Sequence, residues 1–232
     1  MSPVTEQIDT LTGPNEEVLD AQARVCTGPD QSRPLGQKPG DPDPDRILSI
    51  IVDSLRGSLP ADQTASRAQI GAFLSAMTLR KRFPPATTWS VSETNAFKHH
   101  LPDLQASDSA IRFLVVSSMG EASASEDLPE TGVDREIVGH LREILQGKHL
   151  SYERTRAVLR AVMSEEGDPA LKAAVLIGQR MNLENYGEFR GYLDSVIDPE
   201  DVREVAVDSL TTIGEPYNGS TRFFKPTCFV AA

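Results

Sequence analysis

Large apolar residues recur at helical spacing along most of the chain from residue 46 onward. Residues 47–55 place Ile and Leu side chains at helical spacing, and Gly57 follows where such a helix is expected to end. Residues 65–80 repeat the pattern with small residues interspersed, and the prolines at positions 84 and 85 end it. The pattern therefore predicts two helices in this part of the chain.

Four further helices are predicted in the second half. Apolar residues at helical spacing in 137–145 define the first, and Ser151 is a suitable N-cap for the second. The Asp-Pro pair at 168–169 predicts the start of the third. Asn185 and Glu188 have the spacing of a capping box, which predicts the start of the fourth.

The third of these helices has small residues on one side, from Ala173 to Gly178. We expect this side to let a neighbouring helix approach closely. The stretches 68–77 and 171–181 also resemble each other, since both combine apolar residues with Gly and Ala. We interpret them as parts of two related helical units packed into one bundle.

Two strands are predicted as well. Residues 111–116, Ile-Arg-Phe-Leu-Val-Val, form a short apolar run rich in β-branched and aromatic side chains, which predicts a buried strand. The Ser- and Glu-rich stretch 117–132 is then a loop. The apolar residues of 205–210 predict a second strand that leads into a turn region at 211–220.

Residues 1–45 are rich in proline and acid and contain few large apolar residues. Because such a stretch buries too little apolar surface to offset its ordering entropy, we expect a disordered acidic tail. The domain boundaries that follow are 46–108 for a first helical unit, 109–135 for a strand and loop, 136–200 for a second helical domain, and 201–232 for the start of an α/β domain.

The net charge of −11 would repel nucleic acid and anionic membranes, so neither is expected as a partner. No apolar run approaches the roughly 20 residues of a membrane span. Cys26 and Cys228 lie far apart without metal-ligand spacing, so we interpret them as free thiols in a reducing compartment. The acidic N-terminus lacks the features of a signal peptide, which favours a cytoplasmic protein, or a plastid protein if the source is a plant or alga.

Few side chains in the helical part suggest chemistry. His99 and His100 are adjacent, and on a helix their side chains would point about 100° apart, so they are expected to be a poor metal-binding pair. No metal site is predicted, and no catalytic residue is assigned. Tyr152, Tyr192 and His140 lie on or beside apolar helix faces and are interpreted as parts of the scaffold.

Three segments of the second half carry a family resemblance: Gly147–Ser151, the small-residue helix at 173–182, and the pair Glu188-Phe189. Together they resemble the N-terminal helical domain of glycosyltransferase family 3, which includes anthranilate phosphoribosyltransferases and pyrimidine nucleoside phosphorylases. The resemblance covers residues 137–232 and, more loosely, 47–85. It implies a mainly α fold, with a helical bundle of this type followed by the start of an α/β domain.

In the anthranilate enzymes the helical domain leads into a strand and a Gly-Thr-Gly-Gly-Asp turn. The corresponding stretch here runs from Leu210 to Phe224 and has Gly-Glu-Pro-Tyr-Asn-Gly at 214–219 instead. This form resembles divergent anthranilate phosphoribosyltransferase-like proteins, some of them from plants, which have a Tyr-Asn/Asp-Gly turn and an Arg-Phe-Phe sequence.

The resemblance implies that this turn binds phosphoribosyl diphosphate, because backbone N–H groups can hold an anion without net positive charge. Pro216 removes one such donor, and Glu215 places an acid beside the anion. Without the resemblance, the residues favour a plain Asn-Gly turn that binds nothing. The contacts that the resemblance implies are Gly214, Glu215, Asn218, Gly219, Ser220, Thr221 and Arg222.

The implied activity is that of a pentosyltransferase, which transfers phosphoribosyl from phosphoribosyl diphosphate to a nitrogen nucleophile. Mg²⁺ would be held by acidic residues that family members place later than Ala232, and no cofactor is expected in this chain. Since the chain ends in an apolar run, we expect a truncated protein that is inactive alone. The alternative is a non-catalytic relative that acts as a dimerisation, ligand-binding or nucleic-acid-binding module, because the helical domain of this family commonly forms a homodimer.

Overall fold

The computed structural model describes residues 14–119 and 132–197 of the chain. The regular structure in both ranges is α-helical, with one short 3-10 turn at Ala61–Gln63, and neither range contains a strand. The predicted mainly α class is confirmed, and the predicted α/β segment 201–232 lies outside these ranges. The helices described are α1 (Glu16–Val25), α2 (Pro44–Leu55), α3 (Arg67–Arg80), α4 (Val91–Gln105), α5 (Ser109–Met119), α6 (Gly132–Leu145), α7 (Tyr152–Met163), α8 (Pro169–Met181) and α9 (Tyr186–Val196).

Helix α3 is the central element, since every residue from Gln69 to Arg80 is buried. The Ser66 hydroxyl accepts a hydrogen bond from the Gln69 N–H at 3.2 Å, and the Gln69 side chain accepts one from the Ser66 N–H at 3.1 Å. This capping box fixes where the helix begins. Because α3 has no polar face, it must be covered on all sides, and α1, α5 and α8 pack against it.

The close helix approach predicted from the small residues is confirmed at the contact between α3 and α8. A Cβ atom added at Gly71 would lie 2.0 Å from the carbonyl oxygen of Ala170. One turn later, the Ser75 hydroxyl donates a hydrogen bond to the carbonyl oxygen of Ala174 at 3.0 Å. Because the contacts advance together along both helices, α3 and α8 run in the same direction. The two stretches that resemble each other in sequence thus lie on two helices in direct contact.

The predicted disorder of residues 1–45 is wrong for residues 14–45. Residues 16–25 form α1, and the apolar residues of its inner face are spaced three and four apart. A few apolar residues on one face are enough to order this segment, because α3 offers them an apolar surface to pack against. The average composition of the segment does not show that its few apolar residues share one face. The buried residues of that face are Val18, Ala21 and Val25.

Polar side chains fasten this segment to α3. The Asn15 N–H donates to Oε1 of Gln69 at 3.1 Å, and Nε2 of Gln69 donates to the Asn15 carbonyl at 3.0 Å. Further along, Leu35 is completely buried. The segment is therefore part of the helical unit, whereas residues 1–13 lie outside the described ranges.

The predicted strand at residues 111–116 is also wrong, because this run belongs to α5. The Asp108 carboxylate accepts hydrogen bonds from the first N–H groups of the segment, at 3.1 and 3.2 Å. A short apolar run fits either a strand or a buried helix, and packing against α3 outweighs its β propensity here. The buried side chains follow helical spacing: Ala110, Ile111, Leu114 and Val115.

The predicted starts of the last helices are confirmed. Asp168 caps α8 by accepting a hydrogen bond from the Ala170 N–H at 2.7 Å. Asn185 and Glu188 form the reciprocal capping box of α9, with both hydrogen bonds at 3.0 Å. Helix α6 begins at Gly132, five residues before its predicted apolar stripe.

One hydrophobic core extends from Val18 in α1 to Met181 in α8. It passes across residue 108, where the sequence suggested a boundary, because α3 and α8 pack together. By their contacts, the described residues belong to one compact unit that ends at Ile197. Within the ranges described, no helix has the length and apolar character needed to cross a membrane.

Candidate functional site

The predicted contacts for phosphoribosyl diphosphate, at 214–222, lie outside the described residues, as does the predicted strand at 205–210. The structure describes the helical unit that precedes them, which ends with α9 at Val196. Three features of this unit bear on function: a buried carboxylate, an exposed apolar helix face and a cluster of histidines.

The buried carboxylate is that of Glu188, whose side chain is only 2% exposed. Its Oε1 accepts a hydrogen bond from the Leu150 N–H at 2.9 Å, and its Oε2 accepts one from the Asn185 N–H at 3.0 Å. Oε2 also lies 2.7 Å from Nδ1 of His149. We call this group the Glu188 junction, because it joins the turn between α6 and α7 to the first turn of α9. The sequence predicts its capping role but not its contact with the turn.

That turn contains the Gly-x-x-Leu-Ser sequence on which the family resemblance partly rests. Gly147 ends α6 with a φ of 74°, in the left-handed region that favours glycine. Leu150 is buried in the core, and the Ser151 hydroxyl caps α7 by accepting from the Arg154 N–H at 3.3 Å. Each residue of the motif therefore has a structural role in turning the chain from one helix to the next.

The scaffold role predicted for two tyrosines and a histidine agrees with their contacts. The Tyr192 hydroxyl donates to Oε1 of Gln179 at 2.8 Å, and burial raises the pKa of Tyr192. The Tyr152 hydroxyl donates to the Asp194 carboxylate at 2.8 Å. His140 is half-buried, and desolvation lowers its pKa. These side chains join or cover helices within the unit.

Helix α9 exposes an apolar stripe on the side away from α7. Its members are spaced three, four and three residues apart, so they lie along one face of the helix. Their exposed fractions are large for apolar side chains, from 40% to 79%. The opposite side packs closely on α7, where a Cβ added at Gly191 would lie 2.9 Å from Cβ of Thr155. The residues of this α9 apolar face are Tyr186, Phe189, Leu193 and Val196.

A completely buried ion pair joins α3 to the start of α4, and the sequence did not reveal it. Arg80 and Glu93 meet at 2.5 and 3.1 Å, and both side chains have no exposed surface. Arg80 also donates to the carbonyl oxygens of Thr87 and Thr88. Because the guanidinium bonds are all directed inward, the pair fixes the connection between the two helices. Glu93 also forms the capping box of α4 with Ser90, and nothing in the sequence indicated its pairing with Arg80.

Cys26 is a free thiol packed against α3, while Cys228 lies outside the described residues. Desolvation raises the pKa of the Cys26 thiol to about 12, although the positive charge of Arg80 opposes the shift. The thiol therefore stays protonated near neutral pH, which makes it a poor nucleophile.

The third feature is a cluster of Asp45, His99 and His100, which we call the histidine cluster. Nδ1 of His99 lies 2.9 Å from Oδ1 of Asp45, and Nε2 of His100 lies 3.2 Å from the same oxygen. The expectation that the two rings diverge is wrong, since their centroids are 4.5 Å apart. His99 uses the ring nitrogen nearer its backbone and His100 uses the farther one, so both reach one carboxylate.

Comparison with known proteins finds two similar anthranilate phosphoribosyltransferases. The chain is 30% identical over 92 residues to the enzyme of Clavibacter sepedonicus, an alignment that covers 38% of this chain and 26% of the relative. It is 29% identical over 92 residues, with the same coverage, to the enzyme of Clavibacter michiganensis subsp. michiganensis.

The chain thus spans about a quarter of the length of the curated relatives it matches. No family model matches it, and neither does any solved structure. At this coarse level, the similarity supports a relationship to the phosphoribosyltransferases.

Proposed function

We propose that the chain is the helical domain, with the first substrate-binding turn, of an anthranilate phosphoribosyltransferase-like pentosyltransferase. The observation that carries the proposal is the 30% identity over 92 residues to an anthranilate phosphoribosyltransferase. The mainly α unit agrees with it, because the resemblance implies a helical bundle at this point in the chain. The reaction would displace diphosphate from phosphoribosyl diphosphate by a nitrogen nucleophile.

In this proposal the turn at 214–222 binds the diphosphate group. Negative charge develops on the oxygens of the leaving group, and oriented N–H groups and a guanidinium stabilise that charge. The Glu188 junction contributes indirectly, because it fixes the start of α9, a helix that precedes this segment in the chain. The proposed contacts are Gly214, Glu215, Asn218, Gly219, Ser220, Thr221 and Arg222.

Mg²⁺ would accompany the diphosphate in the complete protein, and the described residues do not fit it. Mg²⁺ requires six oxygen ligands in nearly octahedral geometry. Within the described ranges, the group of three or more His, Cys, Asp or Glu side chains close enough to share one ion is the histidine cluster, and two of its three ligand atoms are imidazole nitrogens. We therefore assign neither Mg²⁺ nor a chemical step to the described helical unit.

Calorimetric titration of the full-length gene product with phosphoribosyl diphosphate and Mg²⁺ tests the proposal. We expect a saturable heat that is strongly reduced by Arg222→Gln, since this change removes a charged donor. Arg56→Gln is the matched control, because Arg56 is a surface residue that pairs with Asp103 at 2.5 Å. The absence of heat at millimolar ligand would contradict the proposal.

A second candidate function is a non-catalytic dimerisation module, and the α9 apolar face favours it. Pairing this face with a second copy would remove apolar surface from water, at about 25 cal/mol per Å². The net charge of −11 argues against the nucleic-acid-binding alternative.

Light scattering of the purified chain tests this second candidate. We expect a homodimer that Phe189→Glu converts to a monomer, because the charge would be buried in the interface. Val91→Glu is the control, since Val91 is 78% exposed on α4, outside the α9 apolar face, and its change should leave the dimer intact. A wild-type chain that stays monomeric at high concentration would rule this candidate out.

A further inference from the structure

We propose that the histidine cluster is a binding site for a divalent transition metal of the zinc class, formed between the N-terminus of α2 and the middle of α4. Its ligands are the carboxylate of Asp45, Nδ1 of His99 and Nε2 of His100. The proposal is independent of phosphoribosyl transfer, because Mg²⁺, the ion of that reaction, does not suit imidazole ligands.

The three ligand atoms already converge on one point. All of them lie within 4.8 Å of one another, and the two nitrogen-to-oxygen distances are 2.9 and 3.2 Å. Ligand atoms around a tetrahedral Zn²⁺ are about 3.3 Å apart, given metal–ligand bonds of about 2.0–2.1 Å. An ion can replace the hydrogen-bonding protons if the two nitrogen-to-oxygen distances widen to about 3.3 Å and the two ring nitrogens, which lie within 4.8 Å of each other, adopt the same spacing.

The donor set matches the metal class. Two histidines and one carboxylate are the ligands of many catalytic zinc sites, in which a fourth position is left for water. Neutral imidazole suits Zn²⁺, Cu²⁺ and Ni²⁺, while the carboxylate supplies one negative charge. His99 is 70% exposed and Asp45 is 52% exposed, so an ion can enter from solvent.

The fold holds two of these ligands in place. Asp45 lies in the first turn of α2, where Pro44 starts the helix and the Asp43 carboxylate accepts from the Asp45 N–H at 3.1 Å. His100 is only 10% exposed, because α2 and α4 pack against each other around it. Such restriction lowers the ordering entropy that metal binding must overcome.

The charges nearby are compatible with a cation. The positive charge next to Asp45 in sequence is Arg46, and its guanidinium is engaged by Glu17 of α1 at 3.0 and 3.2 Å. The whole chain carries a net charge of −11, which raises the local concentration of divalent cations. A bound ion would connect α2 to α4 and stabilise the unit, since it binds the folded state.

Two titrations of the tag-free, chelator-treated chain test the proposal. Calorimetry with Zn²⁺ should show one ion per chain, and Co²⁺ should give the visible absorption bands of a low-symmetry nitrogen–oxygen site. His99→Gln should weaken binding at least about 10-fold, because removal of a ligand costs no less than removal of an outer hydrogen-bond partner. Since His99 is largely exposed, this variant is expected to remain folded, and Asp45→Asn should have the same effect on binding.

His149→Gln is the matched control, because His149 also contacts a carboxylate but has no second histidine beside it. It should bind Zn²⁺ as the wild-type chain does, and excess Mg²⁺ should not compete. Circular dichroism of each variant confirms that it is folded. The proposal is overturned if the wild-type chain binds no Zn²⁺ at millimolar concentration, or if His99→Gln leaves the affinity and the cobalt spectrum unchanged.

Discussion

At the scale of single residues, the Glu188 carboxylate shows how one buried group can fix several segments. It accepts hydrogen bonds from two backbone N–H groups and contacts His149, with almost no access to water. If the carboxylate is removed, the buried N–H groups that it paired with lose their hydrogen bonds, and the free energy of unfolding falls by their full desolvation penalty. Glu188 should therefore matter more for stability than a surface acid on the same side of the unit.

We predict that Glu188→Gln lowers the free energy of unfolding by about 1–3 kcal/mol, because the amide cannot accept from both N–H groups. Urea denaturation followed by circular dichroism measures it. Glu184→Gln is the control, since Glu184 makes a longer contact of 3.6 Å with the exposed Arg180. Equal losses of unfolding free energy for the two substitutions would show that the Glu188 junction stabilises the fold no more than a surface ion pair does.

A second prediction at this scale concerns acid and the pair formed by Asp108 and Arg67. Burial acts to raise the pKa of Asp108, but hydrogen bonds from Arg67 and from backbone N–H groups outweigh it, so the pKa lies below its usual value. The folded state therefore holds the proton less tightly than the unfolded state. The resulting stabilisation is present above the usual carboxyl pKa and is lost as the pH falls below about 4.

Asp108→Asn should accordingly cost about 0.5 kcal/mol at neutral pH, as expected for a partly exposed pair, and progressively less as the pH falls below about 4. The amide oxygen can still cap α5, so the difference reports the charge. Urea unfolding at a series of pH values measures this, with Asp20→Asn on the exposed side of α1 as the control. A stability difference that persists unchanged into acid would contradict the assignment.

At the scale of elements, the contact between α3 and α8 is the tightest that the structure describes for a glycine. Gly71 faces the backbone of Ala170, which cannot move aside as a flexible side chain could. Gly71→Ala should cost about 3 kcal/mol or more, measured by urea denaturation. Gly139→Ala on α6 meets nothing within 4 Å and should instead stabilise the chain by about 0.5–1 kcal/mol. If both substitutions behave alike, the two helices do not approach this closely.

The elements that the sequence predicted correctly are those with local signals. The capping residues Asp168 and Asn185 determine helix starts through hydrogen bonds within a few residues, so the sequence alone shows them. The failures depend on distant partners. Helix α1 and helix α5 are both stabilised by packing against α3. The residues within 16–25 and 109–119 do not by themselves indicate that α3 lies beside them.

The same distinction applies to the candidate sites. The sequence shows His99 and His100 as neighbours, and helical geometry alone predicts that they diverge. Asp45 lies more than 50 positions earlier, and only the packing of α2 on α4 brings it to both rings. The histidine cluster therefore could not be predicted from the sequence, whereas the turn at 214–222 could be proposed from its resemblance to a family motif.

At the scale of the whole molecule, the helical unit and the partial match to two phosphoribosyltransferases have to be considered together. The described residues form one mainly α unit around a continuous core, and the chain matches about a quarter of the length of two anthranilate phosphoribosyltransferases. The activity proposed above would depend on residues that follow α9, since the proposed diphosphate contacts lie at 214–222.

Release of diphosphate from phosphoribosyl diphosphate tests this account most directly. It would be measured with Mg²⁺ and anthranilate as the nitrogen acceptor, for the full-length gene product and for these 232 residues alone. We predict acceptor-dependent release by the full-length protein and none by the 232-residue chain. Turnover by the 232 residues alone, or no release by the full-length protein, would contradict the account.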